Sequence, residues 1–557
     1  MDVYAPQKWL PHEKPLLPGS PSSPNHPTAR RVAFLVVGLI VAVTGGLGNA
    51  LVSVNLPYLQ GSLGVYSSEI QWLPAAYVMA NVSMNLLLVK FRQQFGLRLF
   101  TELFLMLYAV ATVAHLFVHG LASAIAVRVA HGMSGAALTT LGLYYVLQAF
   151  PAQHRLKGVV LGIGFPQLAM PMARLFSSEL LELGEWRGLY YFELGMALLS
   201  LACVLMLKLP PGDRIKAFEK LDFLTFGLFA PGVALLCAVL ALGRTVWWYE
   251  SVWLGYSLAG AIVLIAAALT IEHNRARPLL NTRWLSNGNI ARLALSVLLI
   301  RVVQSEANGT FGFLQLLGLN NDQMMTLWWI VMAGTFAGLV ASALVITPAR
   351  LQPMLMFSLV VMALGAYMDA DATNLTGPED LYVSQFLLGF GGGFFIGPTF
   401  VSGFGAVIAA PSNLISFSVM FSITQNLGSL LGSALVGTFQ SLREKYHSSL
   451  LVEHLTLLDP QVAARVQAGG ASIAGVLNDP AARNAQGVAA LGAAATREAN
   501  ILAYNDVFLL ISALALLTLG WMLARYLWGI CTACQETPVQ SAQTGIANVS
   551  LNNSGSR

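Results

Sequence analysis

Long apolar runs separated by short polar punctuation fill the chain from residue 33 to residue 528. A helix needs about 20 apolar residues to cross the ~30 Å hydrocarbon core of a bilayer. The runs near 33–57, 70–89, 99–118, 122–149, 158–179, 188–208, 222–243, 252–272, 290–316, 323–347, 353–370, 381–408, 415–439 and 504–528 therefore predict fourteen spans. The fold class expected is an all-α polytopic membrane protein.

Two runs break the apolar pattern at their centres. The fourth carries Arg128 and His131, then Gly132, Ser134, Gly135, Ala136 and Ala137. At ~1.5 Å per residue Arg128 lies about 10 Å inside its helix, where a guanidinium needs a partner or water. It is either pinned to backbone carbonyls or a polar anchor lining a cavity. The small residues after it predict a face for close helix approach. The ninth run holds Arg301, Gln304, Ser305, Glu306 and Asn308, so that helix faces protein or water, not lipid. Arg301 and Glu306 are five residues apart, and their side chains diverge by roughly 140° around a helix. Arg174 lies in the fifth run, and Tyr190 and Glu193 lie in the sixth.

Composition agrees with the pattern. Hydrophobic residues make up 56% and charged residues 10% of 557, against about 25% charged in soluble domains. Lys and Arg concentrate in alternate loops: Lys90, Arg92 and Arg98; Arg155 and Lys157; Arg214, Lys216 and Lys220; Arg275, Arg277 and Arg283; and Arg350. That bias places these loops and both termini in the cytoplasm. Residues 1–32 are Pro- and Ser-rich and read as a disordered cytoplasmic tail. Ser441–Ala503 is a charge-balanced insertion on the outer side, expected to hold two short amphipathic helices. Residues 531–557 form a second tail. The four cysteines give no disulfide framework. Cys531 and Cys534 lack a second ligand pair and are expected to be incidental thiols or lipidation sites. No cofactor, metal or catalytic set is expected. The glycine-rich 389–405 is too apolar for a phosphate loop and predicts tight helix packing.

Several segments together resemble the major facilitator superfamily, in its fourteen-span drug:proton antiporter-2 branch (EmrB/QacA-like). Arg128-x-x-His131-Gly132-x-x-Gly135 resembles that family's fourth-helix motif. Val54–Pro57 resembles the end of its first helix. KFRQQFGLR (90–98) stands where a basic loop motif belongs, with Gln93 replacing an Asp. Asp222–Gly227 resembles the opening of the extra central pair, and Asn426-Leu-Gly428-Ser429-x-x-Gly432 a run of the C-terminal half.

The resemblance implies two six-helix bundles, 33–208 and 290–530, with two extra central helices within 209–289 and the insertion 441–503 in the second bundle. It implies an inner-membrane secondary exporter of hydrophobic or amphipathic drugs and toxicants, coupled to protons. It also implies a periplasmic adaptor and an outer-membrane channel as partners through 441–503. Gly48 or Asn49 stands where many relatives carry a first-helix Asp. That favours the alternative of a dedicated metabolite or lipid exporter without proton antiport; a non-transporting receptor or scaffold is the other alternative.

Coupling needs a carboxylate whose solvation can change. Glu306 is the first choice, with Arg301 or Arg128 as its counter-ion or a fixed ion pair as its structural reading, and Glu193 is the second. Arg128, Arg301 and Arg174 are the expected charges of the cavity. His131, Gln304, Asn308, Tyr190, Gln425 and Phe386 are its expected polar and aromatic lining. Trp328, Trp329, Tyr382, Phe394 and Phe395 line a pocket or face lipid. Asp222 and Asp506 read as carboxylates at helix N-termini.

Overall fold

The structure is a computed structural model that describes residues 9–10, 13–15, 17–176 and 187–551, with the side chains of 307–308 and 529–551 outside the description. Thirteen helices among the described residues are long and apolar enough to cross a membrane. The first six are α1 (Thr28–Val54), α2 (Trp72–Phe95), α3 (Leu97–His115), α4 (Leu121–Ala149), α5 (Ala152–Arg174) and α6 (Arg187–Met206). The extra pair is α7 (Lys220–Leu242) and α8 (Val252–His273). The ninth span is broken into α9 (Gly288–Val303) and α10 (Glu306–Leu316). Then come α11 (Met325–Val345), α12 (Leu351–Met368), α13 (Tyr382–Ala409), α14 (Leu414–Glu453), α15 (Pro460–Ala471) and α16 (Pro480–Leu551).

The helices sort into two bundles. In the first, α4 packs on α1, α2, α3 and α5. In the second, α13 packs on α11 and α12, and α16 on α12 and α14. The bundles meet where α5 lies against α11 and α13 and where α2 lies against α14; α7 bridges the second seam.

Glycines set how closely these helices approach. A Cβ on Gly132 would collide with the Tyr77 carbonyl of α2, and one on Gly142 would meet Ala42 of α1 at 2.7 Å. The close approach expected of the small residues on the fourth span is therefore real at Gly132, and Gly142, beyond that row, makes a second one. In the 389–405 run, Gly393 lies against the Thr335 carbonyl of α11, as Gly338 of α11 does against that of Phe390. The Gly428–Gly432 run brings α14 against the break in the ninth span. A Cβ would meet Arg301 Cβ at 2.9 Å from Gly428, and Ser305 Cβ at 2.9 Å from Gly432.

The extra pair is pinned electrostatically. Asp222, at the start of α7, accepts from the Glu219 N–H (2.8 Å), as its helix-terminal position predicts. It also meets Lys90 Nζ at 2.6 Å and Arg275 at 2.8 Å. Arg275 reaches Glu219 and Glu272 as well. Burial opposes its charge, but those three carboxylates outweigh burial and raise its pKa. The loop motif turns at Gly96, whose φ of 88° favours glycine.

Three expectations change here. The insertion does not form two separate short helices. Helix α14 runs 40 residues to Glu453, about 60 Å at ~1.5 Å per residue, and α16 enters the membrane as one helix from Pro480. Only α15 is free-standing, and it packs on α16. Asp506 is accordingly inside a helix, paired with Arg443 and His447 at 2.6 Å each. The amino-terminal segment is also not a disordered tail over its described part: Leu17, Ser20 and Ser22 are buried. Cys531 and Cys534 have no described side chains.

Candidate functional site

A cavity of about 360 Å³ lies between the bundles, lined by α1, α2, α4 and α5 on one side and α9, α13 and α14 on the other. It runs from Asn49, Tyr77 and Arg301 to Arg92, Arg155 and Leu414, toward the face where residues 17–23 lie. Its lining alternates amides (Asn81, Asn85, Gln167, Gln425) with aromatic rings. Phe400, Phe417 and Phe421 are mutually packed, with centroids 5.1 to 6.0 Å apart.

Leu17, Ser20, Pro21 and Ser23 lie across the mouth. Gln93 Nε2 donates to the Pro18 carbonyl (3.3 Å), Gln148 Nε2 to that of Ser22 (2.9 Å), and the Ser22 N–H to that of Pro211 (3.0 Å). Gln93, which replaces the Asp of the related loop motif, thus holds the tail. Proline-rich composition gave no hint of this, because backbone carbonyls do the binding.

The opposite end is shut. At the end of α5, the Arg174 guanidinium lies 3.7 Å from the ring centre of Phe311 and 4.5 Å from that of Trp328. Both rings belong to the second bundle and to an apolar cluster that Leu175 also joins. Arg174 is not a charge of the cavity as expected; it is a cation clamped between rings that hold the bundles together.

Of the other expected residues, Arg301 and Gln425 line the cavity. Gln304 stands behind Arg301, accepting from its Nη1 at 2.5 Å. Arg128 is fully buried and does not line the cavity. It donates to the carbonyls of Gly48 (2.6 Å) and Leu73 (3.2 Å) and to Asn49 Oδ1 (2.9 Å), under the Tyr77 ring. The pinned reading holds, one residue removed from the cavity through Asn49 and Tyr77. His131 and Tyr190 are likewise behind the wall: Tyr190 stacks on His115 at 4.3 Å. Phe386 is partly exposed and stacks on Phe390. Asn308 has no described side chain. The rings that do line the cavity lay in runs that read only as apolar spans.

The two expected carboxylates sit in dry networks off the cavity. Glu193 meets His131 Nε2 at 3.2 Å and accepts from the Tyr108 hydroxyl at 2.8 Å. His131 Nδ1 lies 3.4 Å from Arg128 Nη1. A neutral His131 with its proton on Nε2 satisfies both contacts.

Glu306 has neither expected counter-ion. The break at Gln304–Ser305 turns Arg301 to the cavity and Glu306 away from it, so no fixed ion pair forms. Glu306 instead accepts from Thr310 and from Gln385 Nε2 (3.2 Å). Gln385 Nε2 also meets Asp369 Oδ2 at 2.8 Å. Glu306 Oε2 and Asp369 Oδ1 are buried without a hydrogen-bond partner among the described residues. Asp369 was missed because it stands at the edge of its span, beside a loop rich in acids.

The sequence profile of the Major Facilitator Superfamily matches residues 38–433. A curated relative, the "Acurin A biosynthesis cluster MFS-type transporter" of Aspergillus aculeatus, is 23% identical over 81% of this chain and 82% of its own length. The "Efflux pump mlcE" of Penicillium citrinum is 23% identical over 46% of this chain and 49% of its own. Among solved structures, the proton:xylose symporter XylE superposes with a TM-score of 0.51 at 13% identity, covering 88% of this chain and 95% of that one.

Proposed function

Because the chain belongs to the major facilitator superfamily, we propose that this membrane transporter is a secondary active exporter of hydrophobic or amphipathic small molecules, driven by inward proton flow. The observation that carries the reading is the central cavity, reaching one face and shut at the other by the Arg174 clamp between bundles. Rocking of two bundles about a midplane site exchanges such ends. The name of the mlcE relative supports the direction of transport. The Lys- and Arg-rich face is then cytoplasmic, and the α14–α16 insertion projects outward, where an adaptor would dock.

Glu306 and Asp369 are the proposed proton-carrying pair. Gln385 bridges them through one nitrogen, and each keeps one unsatisfied buried oxygen. One proton held between the two carboxyls supplies what that arrangement lacks. Glu193, met by His131 and Tyr108 on Oε1 and likewise left with a buried Oε2 without a partner among the described residues, is the second choice. A metabolite exporter without antiport is the alternative. It is favoured by Asn49, which stands in the first helix as a neutral acceptor for Arg128.

The test is uptake of amphipathic fluorescent dyes into inside-out proteoliposomes with an imposed pH gradient. Uptake should follow the gradient, and Glu306→Gln should abolish that dependence while inserting normally. Uptake indifferent to the gradient removes antiport, and no uptake of any dye removes the exporter.

A further inference from the structure

Three arginines, Arg92, Arg155 and Arg301, line the cavity, and among the described residues no aspartate or glutamate does. Arg301 is the deepest of them. Every hydrogen bond it donates goes to a neutral oxygen: the Gln425 carbonyl at 3.2 Å, Gln304 Oε1 at 2.5 Å and Gln167 Oε1 at 3.5 Å. Among the described residues no carboxylate lies within ion-pair distance of it; the nearby acid, Glu306, faces away across the helix break. Beside it, both the oxygen and the nitrogen of the Gln425 amide are buried and have no partner among the described residues. Buried amides are rarely left so, and a cation in a membrane interior is costly without a counter-charge. The unmet positive charge and the unmet amide are adjacent, both on the cavity wall. Phe421 and Phe417 lie one and two turns before Gln425 on the same face of α14, packed with Phe400 of α13.

We infer, resting on the exporter reading, that the cavity takes an organic anion: a flat apolar body against the phenylalanines, with a carboxylate or similar acid held by Arg301 and the Gln425 amide. A carboxylate would pair with Nη2, the guanidinium nitrogen that those three bonds leave unused, in a charge-assisted hydrogen bond. The Gln425 N–H₂ supplies a second donor. A cationic amphiphile of the same size meets three arginines and, among the described residues, no acid. The volume of about 360 Å³ is that of a small drug-sized ligand.

The experiment is fluorescence titration of the full-length protein in non-ionic detergent with three probes sharing one fluorophore: dansylglycine (anionic), dansylamide (neutral) and dansylcadaverine (cationic). Dansylglycine should bind at least tenfold more tightly than either of the others. Arg301→Gln should weaken dansylglycine at least tenfold and dansylamide less than twofold, with Arg301→Lys between. Elution volume and melting temperature check that the variants fold, and the wild-type charge preference needs no variant. No saturable dansylglycine binding, equal or tighter dansylcadaverine binding, or equal weakening of all probes by Arg301→Gln overturns the inference. Binding is read without transport, so a protein that binds dansylglycine but moves no dye would refute the exporter reading alone.

Discussion

Arg128→Met keeps the length of the side chain and removes its donors. Two of the acceptors it leaves, the Gly48 and Leu73 carbonyls, lie inside the bundle; the third, Asn49 Oδ1, borders the cavity and can turn to water. Both carbonyls lie inside helices α1 and α2 and keep their helical N–H partners, so what is lost is a charged hydrogen bond to each, worth about 1.5–3 kcal/mol, and the contact with the Tyr77 ring, at 4.6 Å, worth about 0.5–2 kcal/mol more. Against this, the guanidinium no longer has to be desolvated, which returns part of the sum. The net expectation is a loss of about 2–5 kcal/mol, a large share of the ~5–15 kcal/mol by which folded proteins are usually stable. Arg128→Lys keeps the charge, but its three donors diverge from a single atom. It cannot reach Leu73, Gly48 and Asn49 together, so it should lose about 1–2 kcal/mol. Reversible unfolding in mixed micelles, titrated with sodium dodecyl sulfate and followed by tryptophan fluorescence, measures both. A Met variant within about 1 kcal/mol of wild type, or a Lys variant as unstable as Met, would refute the pinned-cation account.

Other consequences are as direct. Arg174→Gln loses both ring contacts and should loosen the shut end; a cysteine placed at Gln167 should then react several-fold faster with a membrane-impermeant maleimide added on that side, and an unchanged rate would separate Arg174 from closure. Gly338→Ala drives a methyl group into the Phe390 carbonyl of a neighbouring backbone and should cost about 1–3 kcal/mol, read by the same titration; a neutral result would mean that α11 and α13 slide freely. His26 is held below its ordinary value of 6.5, first by burial, against its hydrogen bond to Gln148 and with the help of the Arg30 charge. Nothing is lost while the ring stays neutral, but protonation below about pH 6.5 disfavours the packed tail. A cysteine at Leu17 in a cysteine-free background should therefore become more accessible at about pH 5.5 than at about pH 7.5, once thiolate fraction is corrected for, and His26→Asn should remove the difference. Equal accessibility at the two values would count against it.

The membrane class, the succession of spans and the face of small residues on α4 were legible in the sequence alone. Each depends on a local property, either the length of an apolar run or the absence of side chains at helical spacing. The anomalous residues Arg128, Arg301, Glu193 and Glu306 were legible for the same reason, since a charge inside an apolar run stands out with no partner known. Their partners were not. Arg301 and Glu306, five residues apart, already read as diverging around one helix, with Arg301 or Arg128 as the counter-ion of Glu306; instead a two-residue break in the helix sends Arg301 to the cavity and Glu306 to the network of Asp369, 63 positions along the chain. Arg174 read as a cavity charge until the packing of α5 set it between Phe311 and Trp328. Phe400, Phe417 and Phe421 gave no signal, because an aromatic ring facing lipid and one facing a cavity are the same letter in an apolar run. The tail was opaque in another way, being held through its carbonyls, which every residue has. Cost is written along the chain, since a buried charge or a missing side chain carries its energy wherever it stands; compensation depends on which distant groups the packed helices bring within a few ångströms, and that is decided only in three dimensions.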